Sequence, residues 1–496
     1  MLLPIENDTK ISRNHKLHNH VKRAFLYHNR GINSEFMCMF APSTKKFMSK
    51  KKQICLLFSC LIGILMCTSC FQDRQIEYQP RIDANKWIVE EMRNIYYWYQ
   101  DIPDDSKLNF FAEPDVFFGT ILSSNDSKNG NNYSWIEPST GYTPEDNPIE
   151  NYGFDYKLYV KQSANRSFAR ILYVIPGSPA DNAGIKRGDW LATFGGYRIT
   201  ANNEEMLQTG GASDFTLAKY EVTGMGEDEK PIYDWVVDSL NVIPIEAARK
   251  VSQNPVLVNK TLSLSNGQKA AYLMYNYFIS GSTTESDEYI KELGNIINSY
   301  KGNINDFILD LRYNKGGSLE TSRLFTSMLA PATALGDIFY TAKYNDKNQD
   351  KNKSTYLASS GTNLNLKKIY VIIGNKTAGA GEALINALLP YMGEANVILI
   401  GSTTAGDNAM TEAIQSDTYP WIIHPTVAML YNKNDKSDYY NGFTPTLAVD
   451  ESTDYSLYKE LGDPEELLLS KTIDVIINGL PTEDEDGEET ETNASH

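Results

Sequence analysis

The spacing of apolar positions changes character along the chain. Trp87, Val89, Met92, Tyr96 and Tyr99 recur at helical intervals, which predicts an amphipathic helix with its aromatic stripe packed into a core. Further on, short apolar runs alternate with helical patterns. Ala271–Tyr275, Phe307–Leu311, Ile369–Ile373 and Val397–Ile400 read as strands. Between the last two lies Glu382–Met392, a helical stretch with Leu384, Leu388 and Leu389 on one face. Strand–helix–strand alternation of this kind predicts an α/β domain with a largely parallel sheet. The polar, Lys- and Asn-rich stretch from Asn345 to Ser360 is expected to be a surface excursion. Residues 479–496 include the almost wholly acidic run Glu483 to Glu491 and are expected to form a disordered, solvating tail.

A different apolar pattern sits near the start. Met48-Ser-Lys-Lys-Lys-Gln is a basic stretch, and the apolar run Ile54–Met66 that follows is about 13 residues long, too short to span a bilayer. Thr68 and Ser69 then precede Cys70. The order of basic flank, short apolar core and small pair before a cysteine resembles a lipoprotein signal, with Cys70 as the lipidated residue. Met48 is therefore expected to be the true start, with residues 1–47 an upstream extension, 48–70 the signal and 71–82 a polar tether. All 5 cysteines lie at or before Cys70. The mature chain thus has no thiol for a disulfide, a nucleophile or a metal site. Of the histidines only His424 and His496 follow Cys70, and His424 on a strand-like run reads as structural. No cluster of metal-ligand spacing is present, and no metal or cofactor is expected.

Residues 83–145 form a first, helical segment. Residues 150–245 form a second, containing Val174-Ile-Pro-Gly-Ser-Pro-Ala-Asp-Asn-Ala-Gly-Ile-Lys-Arg-Gly-Asp-Trp-Leu191. Pro176-Gly177 makes a turn, Ser178-Pro179 starts a short helix, and Gly184 ends it. Gly188-Asp189 then turns into a strand, Trp190–Phe194. This run resembles the PDZ domain, in which backbone N–H groups capture a C-terminal carboxylate and an edge strand pairs with the peptide. The resemblance places the carboxylate loop at Gly153, Phe154 and Asp155.

Three motifs in the third segment, residues 250–478, resemble peptidase family S41, the C-terminal-processing peptidases. Asp310-Leu-Arg-Tyr-Asn-Lys-Gly-Gly317 ends a strand in a glycine turn, which in the family supplies an oxyanion-hole N–H; Gly316 or Gly317 is the expected donor, with Ala380 as the second. Asn375-Lys-Thr-Ala-Gly-Ala-Gly-Glu382 matches the family's nucleophile motif through Thr377, Ala378, Ala380 and Glu382. That alignment puts Gly379 where the family has its serine. Ile400-Gly-Ser-Thr-Thr-Ala-Gly-Asp-Asn408 matches through Gly401, Thr404 and Gly406, and puts Asp407 where the family has its general-base lysine. The resemblance covers nearly the whole mature chain and implies a crotonase-like (ClpP/crotonase) α/β core with a PDZ domain and a small helical N-terminal segment. It also implies that both members of the catalytic dyad are substituted, while Glu382 and Thr377 remain as supporting residues.

The net charge of -17 excludes a nucleic-acid partner, since phosphate binding needs a basic face. Three functions stay open. The first is a catalytically inactive lipoprotein that binds a peptide or a protein C-terminus. The second is an active peptidase using a relocated Ser or Thr, with Thr377, Ser402, Thr403 and Thr404 nearby. The third is a scaffold for an active paralogue. The expected location is the cell envelope, through a lipid anchor in the membrane.

Overall fold

A computed structural model describes residues 78–481 apart from 129–130, 140–149, 162–163, 227–228, 252–253, 283–285 and 453–457. The signal-like segment, Cys70, most of the tether and the acidic run lie outside the described residues. Among those described, no helix is long and apolar enough to cross a membrane.

The body is built on a sheet whose strands lie in the order Val256–Ser263, Lys269–Tyr275, Asp306–Asp310, Ile369–Ile373, Val397–Gly401, Leu447–Ala448. The first pair is antiparallel and the other neighbours are parallel. Both faces are covered, which is why these strands read as continuous apolar runs. The two-residue pleat divides each run between two cores. Ala271, Leu273, Phe307, Leu309 and Val371 face the helices Glu288–Tyr300, Leu319–Leu329 and Ala380–Met392. Tyr272, Met274, Ile308, Tyr370 and Ile372 face the helix Leu467–Asn478. Leu384, fully buried in the first core, would cost about 2–5 kcal/mol to truncate to Ala.

The N-terminal helix spans residues 78–95. Helix formation therefore begins inside the stretch expected to be tether, because Tyr78 packs on Phe111 and Gln79 bonds Asp83. Val89, Met92 and Tyr96 are buried with Phe117 and Phe118 of the short helix Pro114–Thr120. This segment is not separate from the body. Strand Trp135–Pro138 pairs antiparallel with Trp421–His424, so Ile136 and Ile423 share one core.

The 345–360 stretch lies largely at the surface, as expected, but it carries regular structure and one buried polar residue. Lys353–Tyr356 pairs with Ile338–Tyr344 as a hairpin, and that strand pairs in turn with Thr426–Tyr431. Asn345 is buried and donates to the Ile95 and Tyr96 carbonyls at the end of the N-terminal helix. Its polarity closes a helix terminus instead of facing water.

The middle segment is an antiparallel sheet ordered Pro231–Ile245, Ser213–Met225, Trp190–Phe194, Arg166–Val174, Phe154–Lys161. Strand Trp190–Phe194 occupies the expected residues. Ser178 caps the helix Pro179–Asn182 by accepting from the Asp181 N–H at 3.2 Å. Phe154–Lys161 is an edge strand of this sheet.

Candidate functional site

Three loops converge at the C-terminal ends of the parallel strands. The first, Leu311–Gly317, follows strand Asp306–Asp310. Asn314 holds it: its Nδ2 donates to the Tyr275 carbonyl at 2.8 Å and its Oδ1 accepts from Gly316 N–H at 2.9 Å. Gly317 runs beside Phe278 at φ +116°, where a Cβ would lie 2.4 Å from the Phe278 carbonyl oxygen. Only glycine fits that approach. The second loop, Gly374–Gly379, leads into the helix Ala380–Met392. It is sewn to the first by the Ala378 N–H, which donates to the Asn314 carbonyl at 3.0 Å. The third loop, Ser402–Asn408, follows strand Val397–Gly401 and is sewn to the second by Ala405 N–H donating to the Thr377 carbonyl at 2.9 Å.

Gly379 and Asp407 meet where these loops converge. A Cβ on Gly379 would lie 3.1 Å from Asp407 Oδ2 and 3.8 Å from the Gly316 Cα. Gly379 has φ 50° and ψ -110°. L-residues enter that region only under strain, so glycine sits there at lower cost than any side chain. The Ala380 backbone N lies 3.5 Å from the Cβ position of Gly316, so the first turn of the helix opens toward the glycine turn. Gly316 N–H is already committed to Asn314, whereas no acceptor is recorded among the described residues for the N–H groups of Gly317 and Ala380.

Glu382 organises the third loop. Its carboxylate is fully buried and accepts from the N–H groups of Gly379 (3.2 Å), Gly406 (2.7 Å) and Asp407 (2.7 Å) and from the Thr404 hydroxyl. All four lone-pair positions are occupied. Burial pushes the Glu382 carboxyl up to about 7, against the lowering pull of these bonds. Asp407 is also pushed up by desolvation, to about 6, with Asp126 adding repulsion. Its Oδ1 accepts from Ala409 N–H at 3.3 Å, and no partner is recorded for Oδ2 among the described residues. Tyr439, buried and with no partner for its hydroxyl, feels both carboxylates, and desolvation raises it well above its ordinary value. Tyr133 closes the other side by donating to the Gly406 carbonyl at 2.8 Å.

The hydroxyls near the site have other duties. Thr377 Oγ1 donates to the Leu311 carbonyl at 2.7 Å and accepts from Gly374 N–H at 3.0 Å. Thr404 donates to Glu382 and accepts from Phe443 N–H. Ser402 and Thr403 are exposed. His424 stacks on Trp135 with ring centroids 3.4 Å apart and bonds Glu137 through Nε2 at 2.9 Å.

Gly153, Phe154 and Asp155 stand apart from this convergence but are linked to it. Phe154 and Asp155 belong to the edge strand, and Gly153, at φ +87°, packs against Ser178. Asp155 turns its carboxylate to Lys376 Nζ at 2.9 Å and Lys315 Nζ at 3.2 Å, one lysine from each of the first two loops. Burial would raise this carboxyl, but the two ammonium groups overcome it and hold it well below the usual range. Lys376 is lowered by burial to about 8 in spite of Asp155.

Behind the first loop, Arg312 is buried and bonds Asp310 (2.8 Å), Glu451 (3.1 Å) and Glu466 (2.7 Å). Arg187, from the middle segment, reaches the same Glu451 at 2.6 Å and Tyr313 at 2.7 Å. Nothing in the sequence pairs these residues. The approach of Tyr133 to the third loop was equally invisible there, because it comes from a segment with no motif of its own.

The peptidase family S41 profile matches residues 269–449, and the peptidase S41 N-terminal domain profile matches 83–135. A solved structure from Bacteroides fragilis NCTC 9343, described as an S41 protease, is 35% identical over 79% of this chain and 97% of that one, with a TM-score of 0.66. This chain belongs to peptidase family S41. The photosystem II D1 C-terminal processing protease is similar at 16% identity and a TM-score of 0.49, over 79% of this chain and 98% of that one. Mature CPAF in complex with lactacystin is similar at 11% identity and a TM-score of 0.43, over 80% of this chain and 97% of that one. No protein with a curated description matches. For this S41 chain, the three loops that meet at Gly379 all lie within the 269–449 match.

Proposed function

We propose that this S41 chain is a catalytically inactive homologue that binds a peptide or a protein C-terminus. In this reading the serine and lysine of the family dyad are replaced by Gly379 and Asp407. The observation that carries it is the juxtaposition of these two positions: the missing Cβ of Gly379 points at Asp407 Oδ2 from 3.1 Å. A side chain at 379 would therefore adjoin the side chain at 407, as a nucleophile must adjoin its base, yet one position has no side chain and the other has a carboxylate. Gly317 and Ala380 are assigned as the oxyanion-type donors, and Gly316 is set aside because its N–H is taken by Asn314. They would hold a peptide carbonyl without chemistry, since binding and bond-breaking use largely separate groups.

A relocated nucleophile is disfavoured by the two bonds made by each of the Thr377 and Thr404 hydroxyls. The middle segment is read as a PDZ domain that adds a peptide to its free edge strand, on an α/β body of the crotonase-like type. Lipidation at Cys70, anchoring at the cell envelope and a paralogous active peptidase as partner complete the proposal.

The test uses residues 71–496. Peptides with free C-termini should bind, and unfolded protein substrates should remain intact. A fluorophosphonate probe should label no residue. Turnover lost on mutation of Thr377 or Glu382 would overturn the reading in favour of a relocated site. Anchoring is checked by fractionation, where Cys70→Ser should leave the membrane fraction.

A further inference from the structure

Two cations of this chain share one carboxylate oxygen. Lys315, from the first loop, and Lys376, from the second, both bond Asp155 Oδ2, at 3.2 Å and 2.9 Å. The other oxygen, Oδ1, accepts from the Tyr156 N–H at 2.9 Å. One unit of negative charge therefore meets two of positive charge. The ammonium groups are near neighbours, since both touch the same atom, and Lys315 pushes Lys376 toward its neutral form. Glu451 also acts on Lys376, but its own bonds go to Arg187, Arg312 and Tyr313.

The two lysines differ in reach. Lys376 has a side chain only 15% exposed, and it gives a second donor to the Tyr156 carbonyl at 3.3 Å. The Lys315 side chain is 34% exposed, and Asp155 is its one recorded ionic partner among the described residues. An ammonium group has three donors, so Lys315 can hold a further acceptor on its open side. Its place in the chain matters as well. Lys315 directly precedes Gly316 and Gly317 of the glycine turn, and Asp155 lies at the start of the edge strand Phe154–Lys161. The ion pair therefore joins the strand read as pairing with a peptide to the turn read as holding a carbonyl.

We propose that Lys315 takes a carboxylate of the bound ligand, either a peptide C-terminus or an Asp or Glu side chain, while Asp155 holds its ammonium group in place. The proposal rests on the binding reading above and names an acidic group that the ligand carries. A second carboxylate would complete the charge balance that Asp155 leaves half made. Because the ammonium is partly exposed, the contact selects among peptides more than it drives their binding. The net charge of -17 repels acidic peptides from a distance, so a preference for them has to come from a local contact of this kind.

Calorimetric titration of residues 71–496 would compare acetyl-pentaalanine with a free C-terminus, its C-terminal amide, and acetyl-Ala-Ala-Asp-Ala-Ala-amide. At least one carboxylate peptide is expected to bind about tenfold tighter than the neutral amide, and the two arms tell a C-terminus from a side chain. Lys315→Met should erase the preference and Lys315→Arg should keep it. Asp155→Asn removes the competing anion and should widen the preference, which a purely structural ion pair would not do. Equal affinities for the three peptides, or a preference that survives Lys315→Met in a folded variant, would overturn the carboxylate assignment and leave the binding reading standing. If Lys315→Met does not fold, Asp155→Asn decides, and a preference that fails to widen there overturns the assignment. Absence of all peptide binding would count against the binding reading instead. Saturation-transfer NMR with acetate, against acetamide as neutral control, then reads the site alone: a signal lost in Lys315→Met or Lys315→Gln supports it, and no signal, or one that survives, overturns it.

Discussion

Two sets of buried carboxylates in this S41 chain behave in opposite ways. Behind the first loop, Glu451 lies between Arg187 and Arg312, and although burial alone would raise it, the two guanidinium groups hold it down to about 2. At the loop convergence, Glu382 is buried and Asp407 half-buried, neither has an ion pair among the described residues, and desolvation raises them to about 7 and about 6. The first set is a strut. It ties the middle segment, the strand end at Asp310 and the cap residue Glu466 of the C-terminal helix into one unit. The second set is held in place by backbone N–H groups and the Thr404 hydroxyl. Perturbed groups of the second kind mark sites more often than perturbed groups of the first.

The contrast is broken most severely from the strut side. Arg312→Ala would leave Asp310 buried without its cation and Glu466 with only the 3.4 Å contact to Arg187, and should cost about 3–5 kcal/mol in urea unfolding. A change below about 1 kcal/mol would mean that water enters to replace the guanidinium. Next comes the site. Gly379→Ser places a side chain at φ 50°, ψ -110° and should cost about 1–3 kcal/mol, read as a lowered urea midpoint. Combined with Asp407→Lys it should also gain cleavage of unfolded substrates. A folded but inert double variant would show that more than the dyad has diverged. Asp155→Ala removes the bridge between Lys315 and Lys376 and should cost about 1–3 kcal/mol, with faster hydrogen exchange confined to the two loops.

The smallest effect is in pH dependence, and it has opposite signs for the two sets. Glu382 and Asp407 have folded values above their unfolded ones, so the folded state holds protons that the unfolded state has lost. Stability should therefore rise as pH falls from about 8 to about 5. Glu451 has a folded value below its unfolded one, so its contribution is present above about pH 4.5 and is lost as pH falls toward 2. Thermal melts across this range should show a maximum near pH 5. Asp407→Asn should flatten the rise on the alkaline side and leave the acid collapse in place.

Much of the body was legible because its strands are short, continuously apolar and punctuated by glycine. Ile369–Ile373 and Trp190–Phe194 could be bounded from their own residues. The two dyad positions were legible for a related reason: the loop spacing carries them, and Gly379 is followed by a helix that starts at Ala380. Polar partners were not legible. Asn345, at the head of a stretch read as a surface excursion, is a buried cap, and Asp155 bonds two lysines of the body that no motif pairs with it. Gly316 and Gly317 were equivalent in the sequence. A single bond from Asn314 separates them.

The sequence by itself determined the strand and helix periods, the order of the segments and the identity of the atoms at positions 379 and 407. These are local or compositional properties, set by which side chains follow one another. The tertiary structure alone decided which charges are paired. Glu451 finds Arg187 and Arg312 across 264 and 139 positions of chain, while Asp407 has no ion pair among the described residues. Charge compensation depends on distances and desolvation that exist only once remote segments have packed.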